Sequence, residues 1–321
     1  MRAGEQAVGA NTLERFRAAL RLAKAPALLE ELLAEQALAP IFQAFEPLVG
    51  LRGFEEAADD LRGRAARVAV DLGCPLIETQ LEHAGYDTDE IDEIRVHVDV
   101  FHYQDAKLLL FTSALLRALD GSCGGGRASS RALMRIPAGE PEGMPEIEQV
   151  PDDVDGKLGR CFADIREHLK LDRVPDDFLA LGRWPKYLMT AWADARRRDD
   201  EQRAREAIED LCVQADAAAE QFPLRVAVTA ESLRAAGADP VKVRALVHRH
   251  RAALSSLVLD LALFKVQLDG AEDAVDSPFP IDWEYLSNDD YLPDDVDEEL
   301  KLRAGDPTSL DDASTKVAVR R

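Results

Sequence analysis

Apolar positions recur at helical spacing over most of the chain. Between Thr12 and about Gly50 they fall at Leu13, Phe16 and Leu20, then at Leu28, Leu29, Leu32 and Leu33, with Pro26, Pro40 and Pro47 as breaks. Residues 1–11 are mostly small and read as a loose lead. Phe54 to Leu72 predicts an amphipathic helix with Glu55, Glu56, Asp59 and Asp60 on its wet side. Asp87 to Leu119 contains no proline, opens on the capping-box pattern Asp87-Thr88-Asp89-Glu90 and closes at Leu119-Asp120-Gly121. Lys157 to Lys170, Arg196 to Phe222 and a pair within Thr229 to Leu268 complete the helical segments. Strand signals are nearly absent. The pattern predicts an all-α protein.

Two stretches share one organisation. Leu81-Glu82-His83-Ala84-Gly85-Tyr86-Asp87 precedes a helix ending Ala118-Leu119-Asp120-Gly121. Leu233-Arg234-Ala235-Ala236-Gly237-Ala238-Asp239 precedes one ending Gln267-Leu268-Asp269-Gly270. Both matches at similar spacing indicate an internal repeat. The expected division is a first helical repeat over 1–121, a Pro/Gly-rich linker over 122–156, a second repeat over 157–281 and an acidic tail over 282–321. Within the linker, Gly124-Gly125-Gly126 lacks the preceding strand and following Lys-Ser or Lys-Thr of a phosphate loop. In the tail, Trp283, Tyr285, Leu286 and Tyr291 are expected to strap the first part onto the body, with a solvated remainder.

The net charge of −22 argues against nucleic acid and against an anionic membrane surface as partners. No apolar run reaches spanning length and no signal-like segment opens the chain, so the expected location is the cytoplasm. Cys74, Cys123, Cys161 and Cys212 are scattered, without metal or redox spacing. The acidic excess fits a halophilic, salty cytoplasm, where screening relieves self-repulsion; a GC-rich genome with an acidic tail is the rival account.

The remaining stretch is Val174-Pro175-Asp176-Asp177-Phe178-Leu179-Ala180-Leu181, followed by Trp184-Pro185-Lys186 and running on to Trp192. It opens like a helix start, with a proline and a carboxylate to accept from first-turn amides, and Trp184-Pro185 should end or kink that helix. One capping residue is enough, so the second aspartate needs another role. The segment resembles the catalytic stretch of the group I 2-haloacid dehalogenases. Further matches follow in order: Ala84-Gly85-Tyr86-Asp87 into His102-Tyr103-Gln104-Asp105-Ala106-Lys107-Leu108-Leu109-Leu110, Ile136-Pro137 through Pro141-Glu142-Gly143-Met144, and Leu268-Asp269-Gly270-Ala271-Glu272 to Ser277-Pro278-Phe279-Pro280-Ile281.

The resemblance implies an all-helical, pseudo-dimeric fold and the hydrolysis of a small-molecule substrate, the expected partner, with neither metal nor cofactor. An aspartate activates water, which displaces halide from the far side of the carbon, inverting it without a covalent intermediate. That aspartate falls on Asp177, and the family's preceding serine on Asp176. An Asn-Pro-Lys segment that helps hold the water corresponds here to Asp105-Ala106-Lys107. Asp105, Asp176, Phe178 and Tyr103 are the candidates for substrate or water contact, although packing is the ordinary role of Tyr103 and Trp192.

Three carboxylates in one site disfavour an anionic substrate or push one pKa upward. Lys107 offers an offsetting charge, although its spacing from Tyr103 also suits a surface lysine. In place of the aromatic residues that the family carries early in its first repeat, Arg21 to Leu29 has Lys24, Pro26 and small or aliphatic residues; Phe42 and Phe45 suit the core better than a pocket. Two other functions remain open: an Asp cluster binding a cation or other small ligand, and a non-catalytic helical scaffold. His97, His102, His248 and His250 lack ligand spacing and read as structural or solvated. A homodimer is left open.

Overall fold

The computed structural model describes residues 3–126, 129–141, 144–199 and 201–276. The acidic tail and its aromatic straps lie outside them. The described chain is helical, with no strand among those residues and one isolated bridge, Leu51 to Arg135. Six helices come first: α1 Ala3–Ala19, α2 Ala27–Ala34, α3 Leu38–Val49, α4 Arg52–Leu72, α5 Glu78–Ala84 and α6 Thr88–Leu119. After a connection without helix among its described residues follow α7 Gly156–Leu169, α8 Asp176–Leu181, α9 Pro185–Asp199, α10 Gln202–Glu220, α11 Ala230–Ala235, α12 Pro240–Asp269 and α13 Ala271–Asp276.

The longest helices, α6 and α12, make the most extensive contact in the molecule. Every residue from Val100 to Leu116 of α6 is buried, as is every residue from Leu257 to Leu268 of α12. A helix apolar on all sides needs cover on all sides, and α4 and α10 supply much of it. Charged residues in these stretches, such as Asp105 and Lys107, are therefore buried wherever they point.

Local chemistry sets the ends of both central helices. Asp87 Oδ1 accepts from the Glu90 amide at 2.9 Å while Glu90 Oε2 accepts from the Asp87 amide at 3.0 Å, the expected capping box. At α12, Asp239 Oδ1 accepts from the Val241 amide at 2.9 Å, with Pro240 as first residue. Just ahead of each cap the chain turns through a left-handed glycine, Gly85 at φ +94° and Gly237 at φ +90°. Pro185 likewise opens α9 after Trp184, so the proline separates α8 from α9.

Several expectations need correction. The lead is helical from Ala3, because α1 packs on α2 and α3. Pro40 and Pro47 do not break α3. Pro40 lies in its first turn, where amides have no partner to lose, and Pro47 costs one bond near the end while Ile41, Phe42, Phe45, Leu48 and Val49 bury the same helix. The helix expected over Arg196 to Phe222 is two helices, α9 and α10. Glu55 is not on a wet face; it is 1% exposed, as is the first residue of its helix, Arg52.

The glycine triplet has a packing role. Amides of Gly124, Gly125 and Gly126 donate at 2.9–3.1 Å to the carbonyls of Ala219, in the last turn of α10, and of Phe222, just past it. A Cβ on Gly124 would sit 2.0 Å from the Leu224 carbonyl oxygen, and one on Gly126 2.6 Å from that of Gln221. Only glycine admits that approach. Phe42 and Phe45 join Phe16 and Phe111 in an aromatic core cluster with centroids 4.9–5.2 Å apart.

Candidate active site

Where α6 and α12 run side by side, the start of α2 and the start of α8 close over them. The space between encloses about 710 Å³, its open mouth included. Phe101, Gln104, Asp105 and Leu108 line it from α6, and His250, Ala253, Leu254 and Leu257 from α12. Both quartets follow the i, i+3, i+4, i+7 spacing of one helix face. Pro26, Ala27, Leu28 and Glu31 come from α2 and the turn before it, Val174 to Asp177 from the start of α8 and the turn before it, and Lys24, Asp172 and Arg173 stand at the exposed rim. Leu28, Phe101, Leu108, Leu254 and Leu257 make an apolar slot.

Asp105 and Asp177 meet in that slot. Each is 4% exposed and each has a buried Oδ2 without a hydrogen-bond partner. Burial pushes the Asp177 carboxyl up to about 7; its own backbone amide and a hydrogen bond from Asp105 oppose this, and the Asp176 charge adds to it. Burial raises Asp105 well above the usual carboxylate range, with the charge of Asp177 reinforcing it. Gln104, 5% exposed, also has its amide nitrogen unpartnered. Unpaired buried polar groups are costly, and three in one cavity suit a polar guest.

Asp176 lines the cavity too, but its carboxylate is engaged. Oδ2 accepts from the Ala27 amide at 3.3 Å and Oδ1 from Gln149 Nε2 at 2.8 Å. It caps α2, whose own N-cap residue Pro26 has no side-chain acceptor. Gln149 also holds Lys24, by an Nζ to Oε1 hydrogen bond. The first aspartate of the pair is thus a cap for a helix 149 residues away.

The structure places the other two candidates elsewhere. Phe178 is fully buried against Trp192 and Phe264, with centroids at 5.3 and 6.2 Å, and does not line the cavity. Tyr103 turns toward α4, where its hydroxyl donates to Glu55 Oε2 at 3.1 Å and accepts from Lys107 Nζ at 2.8 Å. Lys107 is fully buried, so it is neither a surface lysine nor a counter-charge for the aspartates; it pairs with Glu55 at 2.5 Å. Trp192 donates to Asp164 at 2.7 Å, a packing position.

Lys24 and Pro26, from the stretch that stands in for the family's first-repeat aromatics, line the site; Gln104, His250, Glu31 and Arg173 line it without having been expected there. His250 Nε2 lies 3.2 Å from Glu31 Oε1, and Arg249 bridges Glu31 and Asp172. Burial lowers the His250 pKa, so the ring is neutral at pH 7. His248 faces outward, and His97 is held against Trp184. Among the described residues no group of three or more His, Cys, Asp or Glu side chains is arranged to hold a metal.

No protein-family model matches the chain. It is 31% identical over 247 residues to a configuration-inverting 2-haloacid dehalogenase of Alcaligenes xylosoxydans xylosoxydans, covering 71% of this chain and 78% of that one. The chain belongs to the group I 2-haloacid dehalogenase family. An (R)-2-haloacid dehalogenase of Pseudomonas putida is 28% identical over 240 residues, with the same coverage of 71% and 78%. A D-2-haloacid dehalogenase solved in complex with L-LA superposes with a TM-score of 0.74 at 25% identity, covering 82% of this chain and 92% of that one. A mutant of such an enzyme, solved with D-2-CPA, shares the fold at a TM-score of 0.74 and 23% identity. Members of this dehalogenase family are hydrolases acting on carbon–halide bonds. Among the described residues no helix is long and apolar enough to cross a membrane.

Proposed function

We propose that the chain hydrolyses short 2-haloalkanoic acids, with Asp177 as the base that activates water. Asp177 takes one proton as the water oxygen attacks the carbon bearing the halogen. The carbon–halogen bond breaks on the opposite side, halide departs, and the proton later passes to solvent; no ester to the protein forms. The observation that carries this reading is the Asp177 carboxyl, buried in an apolar slot and poised near neutrality. A base of that pKa is ionised enough to act at pH 7 to 8 and stronger than an ordinary carboxylate. Lys24 at the rim is held by a neutral amide, so its charge can draw an anion toward a strongly acidic protein.

The two rival functions are disfavoured. Asp176 is committed to α2, so the three carboxylates do not converge on a cation. A scaffold has no use for three buried side chains around a cavity, each with a polar atom left without a partner.

The same reading takes α1–α6 and α7–α12 as two repeats forming a pseudo-dimer around the site. A constant offset of 149 residues supports it: Pro26 and Pro175, Lys24 and Arg173, Phe101 and His250, Asp105 and Leu254, and Leu108 and Leu257 all line the cavity in pairs. On this offset Asp177 answers to Leu28. Each repeat thus contributes one carboxyl, with an apolar residue at the equivalent place in the other.

Halide release from the two enantiomers of 2-chloropropionate, at low and at molar salt, tests the function. The expected result is release of chloride with lactate of inverted configuration. A well-folded protein that releases no halide under any condition would sink it.

A further inference from the structure

The reaction needs one base, yet two carboxyls share the cavity. Asp105, midway along α6, and Asp177, at the start of α8, line one cavity, each 4% exposed with a buried Oδ2 that has no hydrogen-bond partner, and each acts on the other's charge. Two negative charges that close in apolar surroundings do not coexist. The neighbouring charges do not relieve them. On the α2 side Lys24 stands at the exposed rim, where water screens its charge from the buried pair, and Glu31 is bound to Arg249 and His250. On the approach to α8 Arg173 is bound to Glu30 and Asp172 to Arg249, while Asp176 adds a further negative charge. On α12 His250 is neutral. Lys107 of α6 faces Glu55 of α4, and α10 engages α6 through Glu220 with Arg117.

The two carboxyls are not equivalent. Asp177 has an amide at a helix start to favour its charged form. Asp105 sits mid-helix, where backbone amides are already bonded to the preceding turn. The unpartnered Gln104 amide beside it is an independent sign that this end of the cavity accommodates a polar guest.

We propose that Asp105 and Asp177 hold one proton between them, and that Asp105 carries it as a positioning partner that keeps Asp177 ionised. The neutral Asp105 carboxyl donates to Asp177, holds it in place and limits the pair to a single charge, so that an anionic substrate can approach. Its role in turnover rests on the haloacid reading above; the shared proton does not. Activity then has two limits: it falls at low pH as Asp177 is protonated and at high pH as Asp105 loses its proton.

The test is Asp105→Asn, which is neutral at every pH. Halide release from 2-chloropropionate is expected to keep its acid limb and lose its alkaline limb. Stability provides a readout free of activity. A carboxyl whose folded pKa is raised binds more protons folded than unfolded, so its contribution falls as pH rises above the ordinary carboxylate range. The melting temperature of Asp105→Asn relative to the unsubstituted protein should therefore climb between pH 5 and pH 9. In the unsubstituted protein, ¹³C spectra of labelled aspartate should show two carboxyls titrating in separate steps, both above the ordinary range. An alkaline limb unchanged in Asp105→Asn, a stability difference flat in pH, or two buried carboxyls titrating together near 4 would each overturn the shared proton. If neither protein releases halide, the haloacid reading falls while the stability and NMR comparisons still decide the pair.

Discussion

Asp177→Asn is expected to lower halide release by roughly 10³- to 10⁴-fold while leaving the protein folded, the upper range for loss of a general base. The amide cannot take the proton of water, but it fills the same space and removes a buried charge. The stability sign is opposite to that of a surface salt-bridge aspartate. Asp177 has a folded pKa of about 7, raised mainly by burial, so its ionisation costs stability as pH climbs from the ordinary carboxylate range through 7. At pH 8 the Asn variant should thus melt no lower than the unsubstituted protein. Activity assays and thermal melts on the same preparation check both halves. Loss of activity accompanied by loss of fold would assign Asp177 to the scaffold instead.

The second large effect concerns the ion pair under α6. Lys107 Nζ reaches Glu55 Oε1 at 2.5 Å and donates to the Leu20 carbonyl at 2.6 Å and to Tyr103 Oη at 2.8 Å. One ammonium thus ties the end of α1 to α4 and α6, two residues along from Asp105. Burial lowers the Lys107 pKa to about 8 despite the pull of Glu55, so charging it costs more than the pair returns. Breaking the pair is still severe. Lys107→Met leaves Glu55 buried without its counter-charge, with the Tyr103 hydroxyl still donating to it, and is expected to cost about 3–5 kcal/mol. Adding Glu55→Gln should recover much of that loss. Urea unfolding of the single and double variants checks it; equal losses in both would show that Glu55 does not depend on Lys107.

Much of the helical plan was legible because helices declare themselves locally. The caps at Asp87 and Asp239, the turns at Gly85 and Gly237 and the proline at Pro185 are short-range chemistry written next to the element they bound. The pairing of Asp177 with Asp105 followed from resemblance and not from spacing. What stayed hidden depends on the partner helix. Glu55 and Lys107 each look like residues on a wet face until α4 and α6 are known to press together. Asp176 looks like the cap of its own helix but caps α2, a distant contact with no local signal. Phe178 follows Asp177 in sequence, yet a step of one residue on a helix turns the side chain about 100° away, into the core. His250 and Arg173 had a signal in the 149-residue offset between Asp120-Gly121 and Asp269-Gly270, which pairs them with Phe101 and Lys24 once it is extended back along the chain.

The central claim is that water, activated by Asp177, attacks the substrate directly. A single turnover of 2-chloropropionate in H₂¹⁸O, with protein in excess, tests it most closely. Direct attack places ¹⁸O in the lactate of the first turnover and none in the Asp177 carboxyl. Unlabelled lactate from that first turnover, with ¹⁸O recovered in the aspartate, would contradict the account and make Asp177 a nucleophile.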